Sequence, residues 1–202
     1  MKEERAEGIV LKTFDYKENE RIVTVFTSHE GVIALIAKHI KNQNKIALTT
    51  PFCQAEFLFT KGKSDLCKLQ DGTILNDHHF LRRSLPHLQA AAEMVKIVLK
   101  SQLPGKPAPQ LYALLLACLS QLAHFTDTFT LIGSFYLKLL MHEGLLSWES
   151  SHLFPFTVTD IEWNSLKQLA LTRSFKEMHS MSLTPALIDK LKSKISLAFI
   201  DN

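Results

Sequence analysis

The 202-residue sequence predicts an α+β protein, in which a small closed barrel of about five antiparallel strands is followed by an all-helical domain. Three observations predict this architecture. Up to residue 77 the apolar residues come in short runs rich in Val, Ile, Thr and Phe, broken by turn-forming segments. From Asp77 onward they recur at three- and four-residue intervals. In that second part Pro, Ser, Thr and Asp stand where helices would begin, and Gly stands where they would end. The expected domains are therefore residues 1–77 and 78–202.

EGIVLKTF, RIVTVFTS and GVIALIAK are the first three strands, separated by the polar segment DYKENE and the turn signal HEG. QAEFLFT follows and ends at KGKSD, a hairpin loop containing Gly62. DLCKLQ then leads through DGT to another apolar piece. Strands of this number and size, with one longer connection between the third and fourth, suit an OB-fold barrel; an SH3-like barrel is the alternative that periodicity leaves open.

Ser84 and Pro86 open the first long helix, which carries Leu88, Ala91, Ala92, Val95, Val98 and Leu99 on one face and stops at Leu103, Pro104 and Gly105. The next begins after Pro109. Thr126 or Asp127 caps a third, running to Gly144, which is apolar almost all round and so belongs at the centre of a bundle. Thr159 with Glu162 is a capping-box pair, and Thr184 with Pro185 starts a final amphipathic helix.

Composition bounds the function. A content of 46% hydrophobic and 21% charged residues is ordinary for a globular protein. The longest strongly apolar stretch, LIGSFYLKLLM, is broken by Lys138 and falls short of the ~20 residues a membrane span needs. The opening MKEERAEG carries acids where a secretory signal would be basic, so a cytoplasmic location is expected. Cys53, Cys67 and Cys118 form no C-x-x-C pair, which argues against structural disulfides and a thiolate zinc site.

Residues expected of an enzyme do not converge. No dinucleotide or P-loop glycine motif occurs. Asp77, His78 and His79 come nearest to a metal constellation, but adjacent side chains diverge, and a helix cap followed by exposed imidazoles accounts for them. No cofactor is expected, and an undetected hydrolase is the weakest reading.

The strongest lead is AKHIKNQNKIA. Residues 38–68 carry six lysines against Glu56 and Asp65, whereas residues 1–37 carry five basic and seven acidic side chains. The positive charge is thus local, on a stretch without acids of its own. Burying such ammonium groups unpaired is prohibitive, so the stretch faces water or a partner. The candidate DNA-binding residues are Lys38, His39, Lys41, Asn42 and Lys45, joined by Lys61 and Lys63 on another connection and by Arg21; the amides can donate to phosphate oxygens or base edges. Aromatic rings would complete a single-strand site. Of Phe14, Tyr16, Phe26, Phe52, Phe57 and Phe59, most must fill so small a barrel, and Tyr16, in a polar loop, is the expected exception.

The residues also resemble a known family. Val10, Leu11, Tyr16, Glu18, Ile22, Val23, Phe26, Thr27 and Gly31 fall where bacterial RecO recombination mediators have a strand ending in V-L, then Y-x-E-x-x-x-I-V and F-T-x-x-x-G. The TPF of residues 50–52, the KGK of 61–63 and the helical FYLKLLMHEGLL continue the likeness, which covers about residues 7–146. The resemblance implies an N-terminal OB-fold, a helical domain and no catalytic centre. It implies single- and double-stranded DNA as ligands, strand annealing, a RecR-like partner, the tail of a single-stranded DNA-binding protein, and RecA recombinase served indirectly, in the cytoplasm at the nucleoid. The family's basic loop maps onto Lys38, Lys41 and Lys45, and the partner groove is expected near Arg82, Arg83 or Lys100. Two departures stand out. His39, Ile40 and lysines replace glycine and arginines, and SWESSHLFPFT lacks the cysteines of the family's zinc module, so no zinc is expected. The competing reading is a protein-only adaptor whose lysine loop is merely solvated.

Overall fold

A computed structural model describes residues 2–40, 42–62, 64–146, 148 and 158–199. The chain divides into two units, residues 1–79 with 102–113, and residues 80–101 with 114–202.

The first unit is a closed barrel of β1 (Lys2–Lys17), β2 (Glu20–Thr27), β3 (Gly31–Lys38), β4 (Gln54–Lys61) and β5 (Leu66–Asn76), in the order β1-β2-β3-β5-β4. β1 closes it. Its first half pairs with β4 and its second half with β2, and register shifts at Leu11 and Tyr16 mark the bulges that bend it. β1 is longer than the expected strand EGIVLKTF. Residues 2–6 show little apolar pattern, and they are strand because their backbone pairs with β4 while Arg5 meets Glu56 and Lys61 meets Glu4 across the ladder.

β3 and β5 pair in parallel over a few residues, Ala34 to Ile36 against Leu66 to Lys68, as an OB-fold requires to close. Val10, Val23, Val25, Leu35, Phe57, Phe59 and Leu69 fill the interior. The connection between β3 and β4 contains α1 (Gln43–Leu48), capped by the Asn42 carboxamide accepting from the Asn44 backbone N–H at 3.0 Å. The expected open lysine connector is therefore partly a helix. Its last residue, Leu48, is buried in the barrel's core cluster. The DGT segment is no turn but the middle of β5, where a Cβ on Gly72 would meet a Leu48 methyl and the Glu56 carbonyl oxygen, each at 2.9 Å.

Residues 102–113 form a strap on this barrel. Pro104 bridges to Val32, Gly105 donates its N–H to the Val32 carbonyl at 3.0 Å, and the Tyr112 ring packs edge-on against Phe26 with centroids 5.7 Å apart. The Tyr112 hydroxyl donates to Glu7 at 3.0 Å; burial and that carboxylate together push its pKa up.

The second unit is helical, with α2 (Leu85–Ser101), the latter part of α3 (Pro109–Gln121), α4 (Thr128–His142), α5 (Asp160–Leu171), α6 (Phe175–Met178) and α7 (Pro185–Ala198). α4 is the central helix, packed against α2, α5 and α7, as its all-round apolar surface predicts. Asp127 caps it, and Gly144 in the left-handed region follows its end. The expected capping box is present, with Thr159 and Glu162 bonding each other's backbone N–H groups, and those bonds lower the Glu162 pKa. α6 was not legible: one turn carries too short a period to register.

Candidate nucleic-acid interface

Along a strand successive side chains alternate between interior and exterior, and residues opposite each other on neighbouring strands share a face. Val23, Val25, Leu35 and Ala37 point inward. Their neighbours therefore point outward, in rows fixed by register. One row runs Phe14, Ile22, Ile36, Lys68 across β1, β2, β3 and β5; the next runs Lys12, Thr24, Ala34, Leu66. Each row crosses three inter-strand spacings, about 14 Å along the sheet.

Farther along the same outer face, Ile9, Phe26 and Val32 are buried, Phe26 against the strap's Tyr112 and Val32 at Pro104. The strap's Pro104 and Gly105 line one cavity with Thr24 and Ala34 of the second row, and no residue of the first row lines it. What stays open is a shallow platform of Ile22, Thr24, Ala34 and Ile36, with the exposed Phe14 at one edge and the exposed Lys12 and Lys68 at opposite corners. Among the described residues Lys12 and Lys68 have no carboxylate partner.

The residues singled out from the sequence are placed differently. Lys38 lies at the end of the platform, but its ammonium pairs with Glu20 directly across the ladder at 3.2 Å. Lys61 sits between Glu4 at 2.6 Å and Glu30 at 2.7 Å, and the hydrogen bonds its ammonium donates to Glu30 and then Glu4 hold its pKa above the ordinary lysine range. AKHIKNQNKIA carries no acids of its own, and the fold gives its Lys38 one from β2; Lys61, outside that stretch, takes its two from β1 and the β2–β3 turn. Lys45 turns back to donate to the Lys38 carbonyl at 3.4 Å, and Asn42 is occupied as a helix cap. His39 is exposed with φ at 58°. Arg21 points away from the platform, to Asp15 at 2.9 Å and the Thr49 hydroxyl at 3.3 Å. Lys41 and Lys63 lie outside the described residues, as does most of the SWESSHLFPFT segment.

Phe57 and Phe59 fill the barrel interior as expected; Phe26 is buried instead on the outer face against the strap's Tyr112, Phe52 is buried outside that core, and Tyr16 is exposed, though on strand β1 rather than in a loop. Phe14 is the departure. It alternates with the inward Thr13, whose hydroxyl donates to the Thr49 carbonyl, and so faces out. Strand parity could have found Phe14, Lys12 and Lys68, once the register and the extent of the strap were known.

The Asp77, His78, His79 trio needs one correction. His78 is 1% exposed, its Nδ1 2.9 Å from the Phe52 carbonyl, because the chain turns inward at a left-handed φ of 44°. Asp77 accepts from the His79 backbone N–H as a cap for the 3-10 turn His79–Arg83. Among the described residues no group of His, Cys, Asp or Glu side chains is arranged to hold a metal ion. None of their helices is long and apolar enough to cross a membrane.

In the helical unit, Lys96, Lys100 and Lys192 line a groove of about 270 Å³ floored by Ile97 and Ile195. Glu93 crosses it, accepting from the Lys192 ammonium at 2.9 Å and from the Tyr136 hydroxyl at 2.7 Å. Lys100 belongs to this groove. Arg82 and Arg83 precede α2, and Lys100 lies about 22 Å beyond the start of that helix, so the three do not form one cluster.

A closed five-stranded barrel with a capping helix between its third and fourth strands, and a partly cationic outer face, defines an OB-fold domain. Residues 1–78 match the family described as Recombination protein O N terminal. The chain belongs to the RecO family. It is 31% identical over 142 residues to the DNA repair protein RecO of Syntrophomonas wolfei, covering 69% of this chain and 56% of that one. Identity to the RecO of Bacillus pumilus is 33% over 143 residues, 70% of this chain and 56% of the relative. A longer match, 26% identical over 199 residues, covers 96% of the chain and 77% of the RecO of Clostridium kluyveri. The chain thus spans about half the length of the first two relatives.

Proposed function

We propose that this protein is a non-catalytic DNA-binding and strand-annealing mediator in recombinational repair, helping to load a recombinase onto single strands coated by a single-stranded DNA-binding protein. One observation carries the reading: the open outer face of the barrel joins an exposed aromatic ring, an aliphatic floor and two lysines that have no carboxylate partner among the described residues. Ammonium groups attract phosphate whatever the sequence, and they do so without making or breaking a bond. The shared name of the relatives, DNA repair protein, supports the setting. A RecR-like mediator and, indirectly, RecA belong to this reading as partners.

The test is a salt titration of single-strand binding. Lys12→Ala/Lys68→Ala is expected to weaken binding and to flatten the plot of log affinity against log salt by about 1.4, at about 0.7 for each phosphate no longer neutralised. In the same titration Glu20→Gln should free Lys38 and strengthen binding at low salt. The adaptor reading draws on the pairing of Lys38 and Lys61, and it requires that neither variant change oligonucleotide uptake.

The groove between α2 and α7 is the proposed seat of the single-strand binding protein's acidic, apolar tail. Three ammonium groups against the single carboxylate of Glu93 leave it net positive, and Ile97 and Ile195 offer apolar contact. Lys96→Ala/Lys100→Ala is expected to weaken capture of a tail peptide about tenfold or more, read by fluorescence anisotropy. Undiminished capture would move the site elsewhere.

A further inference from the structure

We infer that Phe14 is the residue by which the barrel tells unpaired strands from paired ones: its ring takes the π-face of one unstacked nucleobase beside the aliphatic floor of Ile22 and Ile36. The inference rests on the DNA-binding reading and names the ligand class of that same platform.

Phe14 is 43% exposed although it lies within a long strand, between well-paired neighbours. A phenyl ring kept in water forgoes the stabilisation that burial would bring, and the barrel buries Phe26, Phe57 and Phe59 completely. The other open ring in the barrel, Tyr16, has the Lys17 ammonium 5.3 Å from its centroid, so one of its faces already holds a cation. Among the described residues Phe14 makes no such ring or cation contact. Its cross-strand neighbours, Ile22 and then Ile36, are apolar and half-buried, and Lys12 and Lys68 flank the rows at opposite corners. A stacked base therefore has cations within reach for the phosphates on either side.

The same geometry sets the selectivity. In a duplex the π-faces are hidden inside the stack, and the platform presents no helix or ribbon to enter a groove. A duplex meets only the lysines. A single strand meets the lysines and the ring, because every unpaired base has a face to offer.

Three fluorescein-labelled probes with the same number of phosphates per strand decide the matter: oligothymidylate, an abasic oligonucleotide and a mixed-sequence duplex. Phe14→Ala is expected to lower affinity for oligothymidylate about five- to a hundredfold, while leaving the abasic and duplex probes and all salt slopes unchanged. Phe14→Trp should keep the affinity, and its added fluorescence should be quenched by oligothymidylate and not by the abasic strand. Equal losses on all three probes, or no loss on any, would overturn the stacking role while leaving DNA binding in place. Failure of the unaltered protein to bind any of the three would overturn both readings together.

Discussion

Gly31→Val destabilises the barrel unit by about 2–5 kcal/mol and releases its strap. Gly31 has φ at 68°, a left-handed conformation that disfavours β-branched side chains. Space compounds the strain. A Cβ at this position would overlap the Lys106 carbonyl oxygen and meet the Lys106 carbonyl carbon and nitrogen at 2.6 and 2.7 Å. Those are backbone atoms, so no rotamer relieves the clash, and residues 102–113 must lift. The readout is local as well as global. The Gly105 amide, held by the Val32 carbonyl, should lose its hydrogen-exchange protection, and urea unfolding should shift to lower midpoint. Retained protection at unchanged midpoint would mean that the strap does not rest on Gly31.

The second large effect belongs to the helical unit. Phe135→Ala is expected to cost about 3–5 kcal/mol, because a fully buried ring leaves a cavity that its surroundings fill only in part. Phe135 lies on α4, which packs on α2, α5 and α7, so little exposed surface is available to collapse inward. The neighbouring Tyr136, whose hydroxyl donates to Glu93, should lose definition too, and near-ultraviolet dichroism would report it. A loss under about 1 kcal/mol would place α4 at the margin of the bundle rather than its centre.

Much of the fold was legible because it is written locally. GVIALIAK is β3 to the residue, Thr159 with Glu162 caps α5, and Thr184 with Pro185 starts α7. The site was legible only in part. The lysine-rich stretch drew attention by its lack of acids, yet its Lys38 finds Glu20, and Lys61 beyond it finds Glu4 and Glu30. Tyr16 showed its exposure through polar neighbours, while Phe14, next to Thr13 and Asp15, read as core.

What the sequence by itself determined was most of the strands and long helices, the caps that start α4, α5 and α7, and that a barrel precedes a bundle; these follow from period, caps and turn residues over a few positions, whereas the first residues of β1, the middle of β5, α1 and α6 do not. Tertiary structure alone decided which cations keep their charge uncompensated and which outward residues stay open. Ion pairing depends on cross-strand register, which brings Glu20 opposite Lys38 and leaves Lys12 opposite Thr24. Exposure depends on where a strap distant in the chain comes to rest, covering Phe26 and stopping before Phe14.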